Sequence, residues 1–153
     1  METSQLQILL ADDDKDDRFL FREALSELPI FTNLETVPDG EQLMNYLNEH
    51  TDKLPHVLFL DLNMPRKNGF ECLSEIKHNE KLKELPVIMF STSYPRDMHY
   101  EQDIINMLCK IGAKDYVRKP SNFKELKEVI HNILIEMEGP TIHLALCRRE
   151  LSA

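Results

Sequence analysis

Apolar positions along the chain fall into two alternating patterns. Short, nearly unbroken apolar runs occupy Leu6 to Ala11, Leu34 to Val37, Val57 to Leu60, Val87 to Phe90 and Tyr116 to Val117. Between and after them, stretches at about 15–28, 40–50, 69–80, 97–111 and 122–137 carry apolar residues at three- and four-residue spacing. The first pattern predicts strands and the second amphipathic helices. Five such repeats predict an α/β fold, a parallel sheet with helices on both faces. QILLA, HVLFLD and PVIMFS are apolar at consecutive positions, as strands covered on both faces must be, whereas NLETV alternates and belongs nearer an edge. Pro38-Asp39-Gly40, Asn68-Gly69 and Ile111-Gly112-Ala113 punctuate the turns, and Ser121 and Asn122 are candidate caps for the last helix.

At 153 residues the chain is of single-domain size. We expect one domain over 1–138 and a C-terminal extension over 139–153, GPTIHLALCRRELSA, with no second domain. Eighteen basic residues face 27 acidic ones, a net charge of -9, which argues against a nucleic-acid surface. No apolar run reaches the roughly 18 residues that cross a bilayer, and METSQLQILL lacks a basic leader, so the expected location is the cytoplasm, off the membrane. Cys72, Cys109 and Cys147 are widely spaced and read as buried or incidental thiols rather than a disulfide framework or zinc site. The six histidines show no ligand spacing, and four glycines make neither a dinucleotide fingerprint nor a Walker loop.

In an open parallel sheet, ligands bind beyond the carboxyl ends of the strands, where the strand order reverses. The predicted strands end there in Asp12-Asp13-Asp14, Asp61-Leu62-Asn63, Ser91-Thr92-Ser93 and Arg118-Lys119-Pro120. Acids, hydroxyls and an ammonium thus converge on one edge. If Asp12, Asp13 and Asp61 sit about 5 Å apart, each pair repels by about 3 kcal/mol at an effective dielectric near 20. A divalent cation relieves that repulsion, and few protein ligands favour Mg²⁺ over a calcium cage. A carboxylate beside the metal can attack phosphorus, with Lys119 and Ser91 holding the transferred oxygens. Asp14 reads as the N-cap of the first helix, with Asp16 and Asp17 favourable at its positive end. Residues 12 to 23 also approach a calcium loop, but Asp17 stands at the glycine position and a strand, not a helix, precedes them.

ILLADDD, LFLDLNMPRKNG, PVIMFSTS and DYVRKP, in that order, resemble the receiver domain of two-component response regulators over about residues 6 to 137. ADDDKDDRFLFREAL and LNMPRKNG are similar in particular to the single-domain receivers that partner bacterial phytochromes. The resemblance implies a flavodoxin-like sheet of order 2-1-3-4-5. It implies Asp61 as phosphoacceptor, with Mg²⁺ held by Asp12, Asp13, Asp61 and the backbone carbonyl of Asn63. Ser91 corresponds to the hydroxyl that turns toward the phosphoryl group, Lys119 to the family's lysine, and Pro120 to a proline usually joined by a cis peptide. Tyr116 stands at the aromatic switch. Thr92 replaces a smaller residue common in receivers and implies slower loss of the phosphoryl group. The implied partners are a sensor histidine kinase, phytochrome-type included, or a phosphotransfer protein, and a downstream protein. A homodimer through the fourth helix, fifth strand and fifth helix belongs to the same implication.

The enzyme alternative is a Mg²⁺-dependent phosphatase of the haloacid dehalogenase type, which also uses an aspartate after a strand. Its pattern resembles D-x-D, and here Asn63 stands where the second acid acts. The stretch from Thr92 to Asp115 is longer than in a minimal receiver, so the output face is not carried over from the resemblance.

Overall fold

The computed structural model describes residues 5–92 and 98–138. Its elements alternate as β1 (Leu6–Ala11), α1 (Lys15–Ser26), β2 (Thr32–Val37), α2 (Gly40–Glu49), β3 (Val57–Leu60), α3 (Gly69–Lys77), β4 (Val87–Ser91), α4 (Met98–Ile111), β5 (Asp115–Arg118) and α5 (Phe123–Glu138). The strands form one parallel sheet in the order β2-β1-β3-β4-β5. Strand order reverses between β1 and β3, which places Asp12 and Asp61 side by side at the crevice. The alternating NLETV segment lies in β2, an edge strand. The extension at 139–153 lies outside the described residues, as do residues 93–97 of the longer 92–115 stretch.

Alternation of side chains splits each central strand between two cores. Ile8, Leu10, Val57, Phe59, Ile88 and Phe90 face α1 and α5, meeting Phe21, Leu25, Ile130 and Leu134. Leu9, Leu58, Leu60, Val87 and Met89 face the other side, meeting Leu43, Leu47, Leu73, Ile76 and Leu108 of α2, α3 and α4. Phe21, Phe59 and Phe90 stack edge to face, with ring centroids 5.0 to 5.9 Å apart. Both faces of β1, β3 and β4 are therefore covered, and the acids that follow them emerge from a rigid platform.

Local signals start and stop the helices. The Asp14 side chain accepts from the backbone N–H of Asp16 and Asp17 at 2.8 and 3.1 Å, capping α1. Asn68 and Glu71 form a reciprocal capping box on α3. Of the two candidate caps for α5, Asn122 is used, its side chain accepting from Glu125 N–H at 2.8 Å. Gly112, at φ 132°, ends α4 as the left-handed residue that only glycine enters cheaply. α1 and α3 stop earlier than the apolar spacing predicts, because Glu27 and His78 already return their N–H groups to the preceding turn. Cys72 is buried and free, but Cys109 is disulfide-bonded, so the reading of every cysteine as an incidental thiol does not hold. No described helix is long and apolar enough to cross a membrane.

Candidate functional site

Asp61 leaves β3 directly into the crevice, its N–H bonded to Ala11 carbonyl at 3.0 Å, and only 5% of the residue is exposed. The Ser91 hydroxyl, at the end of β4, donates to Asp61 Oδ1 at 3.1 Å. Lys119, just past β5, is fixed by its own N–H bonding to Ser91 carbonyl at 2.8 Å. Its Nζ donates to Asp12 Oδ2 at 2.7 Å, to Asp17 Oδ2 at 2.9 Å and to Asp61 Oδ2 at 3.4 Å. Asp12 is 1% exposed, and its other oxygen accepts from Asp14 N–H at 2.9 Å. Asp13 is exposed and closes the rim.

Asp12, Asp13 and Asp61 each offer one carboxylate oxygen within 4.8 Å of the others. Three hard oxygen donors on one open edge fit a Mg²⁺-sized cation that keeps coordination positions for water and phosphate. Electrostatics agree with that fit. Burial pushes the Asp12 carboxyl up to about 6, an effect that Lys119 and the Asp14 N–H reduce and the Asp61 charge reinforces. Burial also raises Asp61, against the pull of Lys119 and Ser91. For Lys119 burial disfavours the ammonium, but its bonds to Asp12 and Asp17 and the charge of Asp61 outweigh that and raise its pKa. The ammonium alone leaves the two buried carboxylates strained, so further positive charge is welcome.

The remaining sequence-predicted residues lie around this cluster. Asn63 is exposed and its N–H approaches Asp61 Oδ1 at 3.4 Å. Thr92 is exposed beside Ser91. The Lys119–Pro120 peptide is trans, contrary to the cis form implied by the resemblance; no described peptide bond is cis. A trans bond is the intrinsic preference even before proline, and it accommodates both the Lys119–Ser91 backbone bond and the Nζ contacts. Tyr116 is buried, and its hydroxyl lies 3.4 Å from Glu101 Oε2.

Two participants were not predicted from the sequence. Asp17 was assigned to the helix start, yet it reaches Lys119. The signal was its spacing, since 17, 21, 24 and 25 share a face of α1 and the last three are buried. Glu101, 3% exposed, pairs with Arg118 through both guanidinium nitrogens that reach it. It lies in register with the buried Ile105 and Leu108, so a carboxylate on an apolar stripe was the available clue.

The loop after Asp61 is tightly built. Arg66 holds a φ of 70°, a left-handed conformation that costs a non-glycine residue on the order of 1 kcal/mol. Met64, two residues earlier, is buried in the core on the α2–α4 side of the sheet. A Cβ on Gly69 would lie 2.1 Å from the Asp61 carbonyl oxygen and 2.8 Å from Leu62 Cα. Those neighbours are backbone and cannot rotate away, so Gly69→Ala must push α3 off the loop. We expect a loss of about 1–3 kcal/mol, read as a lower urea midpoint at an unchanged slope. A wild-type midpoint would show that the loop yields freely.

A parallel sheet of order 2-1-3-4-5 that brings buried acids, a hydroxyl and a lysine together at its switch point defines a flavodoxin-like fold. The chain belongs to the response regulator receiver domain family, whose model matches residues 8–131. It is 35% identical over 130 residues to response regulator Rcp1 of Synechocystis, covering 82% of this chain and 84% of that protein. Among solved structures, it resembles the manganese-bound form of Rcp1 with a TM-score of 0.74 and 32% identity, covering 90% and 98% of the two chains. It likewise resembles the phosphorylated cyanobacterial phytochrome response regulator RcpA, with a TM-score of 0.73, 33% identity and coverage of 85% and 91%.

Proposed function

We propose that this chain is a phosphoacceptor switch in which Asp61 takes a phosphoryl group and the altered site changes protein–protein contacts. The observation that carries the reading is the surround of Asp61: a hydroxyl at 3.1 Å, an ammonium at 3.4 Å and two further carboxylates within 4.8 Å. Asp12, Asp13 and Asp61, with the Asn63 carbonyl, would hold Mg²⁺, which supplies charge neutralisation for the incoming phosphate. An Asp61 carboxylate oxygen attacks phosphorus, the bond from phosphorus to the donor breaks, and the donor leaves with that electron pair. Lys119 and Ser91 bond the transferred oxygens as their charge develops, the contribution that phosphoryl transfer needs most. The proposed donor is a phosphohistidine on a sensor kinase, phytochrome-type included given the named relatives, or on a phosphotransfer protein.

The product carries about -1.5 to -2 charge and three strong acceptors, enough to draw Ser91 and Lys119 toward it. Ser91 ends β4 and Lys119 follows β5, so that pull acts on the two strands beside α4. The Tyr116–Glu101–Arg118 network joins α4 to β5 and would transmit the change to an output face on α4, β5 and α5, the proposed site of partner or self association. Thr92, exposed and next to Ser91, is proposed to slow water's access to the acyl phosphate.

Intact-mass measurement tests the reaction. Wild-type chain incubated with acetyl phosphate and Mg²⁺ should gain a single phosphoryl adduct that fails to form when the metal is chelated. A protein that stays unmodified, or is labelled equally without metal, would falsify the proposal.

A further inference from the structure

Lys119 Nζ has three protons and three carboxylate partners. Two of those partners, Asp12 and Asp61, belong to the trio that offers oxygens to a common cation. The third, Asp17, does not. It comes from the first turn of α1, its side chain is 34% exposed, and its 2.9 Å bond to Nζ is shorter than the 3.4 Å contact from Asp61. Its place is held by the Asp14 cap, which accepts the Asp17 N–H, and by the buried Phe21 one turn on.

We propose that Asp17 is a positioning residue for Lys119, holding the ammonium at the pocket while the Asp12 and Asp61 carboxylates are engaged elsewhere. This rests on the phosphoacceptor reading for its consequence, though not for the contact itself. A metal ion held by Asp12 and Asp61 would place a second cation at the oxygens the ammonium uses and would compete with it for them. Of the three carboxylates, Asp17 alone stays free to bond it. Tethered there, Lys119 stands within reach of Asp61 and of a phosphoryl group upon it. Untethered, a four-carbon flexible chain is drawn outward to water.

The sign of the effect separates this role from a bystander charge. Removing a nearby negative charge would ease the approach of an anionic donor and speed labelling. Loss of a tether slows it. Asp17→Asn, Asp17→Glu and wild type are compared by acetyl phosphate labelling at saturating Mg²⁺, by Mg²⁺ affinity in calorimetry, and by the side-chain nitrogen resonance of Lys119 in isotope-labelled protein. The asparagine variant should label roughly tenfold more slowly, the kinetic equivalent of about one hydrogen bond to a charged group. Its Mg²⁺ affinity should match wild type and its Lys119 resonance should move, while glutamate recovers most of the rate and the resonance. Asparagine labelling at or above the wild-type rate, glutamate as slow as asparagine, Mg²⁺ affinity falling in step with the rate, or an unmoved resonance would each overturn the proposal. Should wild type take no phosphoryl group, the phosphoacceptor reading fails, and the resonance alone decides whether Asp17 holds the ammonium.

Discussion

Asp61→Asn is expected to abolish labelling by acetyl phosphate and Mg²⁺ while leaving the fold intact. Asparagine keeps the shape of the side chain and one oxygen able to accept from Ser91 or Lys119, but it has no carboxylate to attack phosphorus. Because burial already disfavours the Asp61 charge, its removal does not by itself unfold the protein, and a melting curve near wild type establishes this. Asp13→Ala should abolish the labelling as well, by taking one of three clustered oxygen donors from the cation. Asp16→Ala should barely change it: Asp16 is exposed, and the backbone N–H it donates to the Asp14 side chain is one that alanine retains. An adduct of equal yield on Asp61→Asn would move the acceptor to another residue. Equal losses from Asp13→Ala and Asp16→Ala would dissolve the division of the acidic run into metal ligands and helix start.

The meeting of Asp12, Asp61, Ser91 and Lys119 is legible in the sequence alone. Asp12, Asp61 and Lys119 each stand at or just beyond the end of an apolar run, Ser91 at the close of another, and a parallel sheet delivers every strand end to one edge. Linear position therefore predicts spatial meeting, without knowledge of any loop. The capping role of Asp14 was readable for a similar reason, since a cap acts within its own turn. Asp17 escaped because its local signal, a negative charge in the first helical turn, is sufficient without a tertiary partner. Its second role depends on Lys119, 102 positions away, entering from the loop after β5. Glu101 was hidden differently: its stripe on α4 was readable, but the guanidinium that neutralises it comes from β5. Backbone choices were least visible of all. Neither the trans bond before Pro120 nor the left-handed Arg66 is written in side-chain pattern, because both answer to how neighbouring segments close.

Lys119→Met should expose how much the pocket depends on one ammonium. Methionine retains most of the aliphatic stem, so the change falls on charge rather than volume. In the wild type Nζ serves three carboxylates, two of them on residues almost wholly buried. Breaking a buried ion pair from one side costs about 3–5 kcal/mol, because the remaining charge is left without compensation. The loss should depend on pH in a definite direction. Lys119 titrates above its ordinary value, so its own charge is constant through neutral and mildly acid pH and contributes no slope there. Asp12 already titrates near 6 against an ordinary 3.8, and Asp61 is raised too, with Lys119 opposing both shifts. Without the lysine both rise further. A carboxyl raised in the folded state favours folding when protonated: that contribution is complete below the unfolded value and is lost as pH climbs through the folded one. The variant's deficit should therefore be largest at neutral pH, shrink as pH falls through the folded values, and be smallest near pH 4. Mg²⁺ should recover part of it at neutral pH, since a divalent cation relieves the same repulsion. Urea titrations at neutral and acid pH, each with and without Mg²⁺, measure this directly. A deficit of the same size at both pH values would mean that the buried carboxylates are not the groups Lys119 sustains.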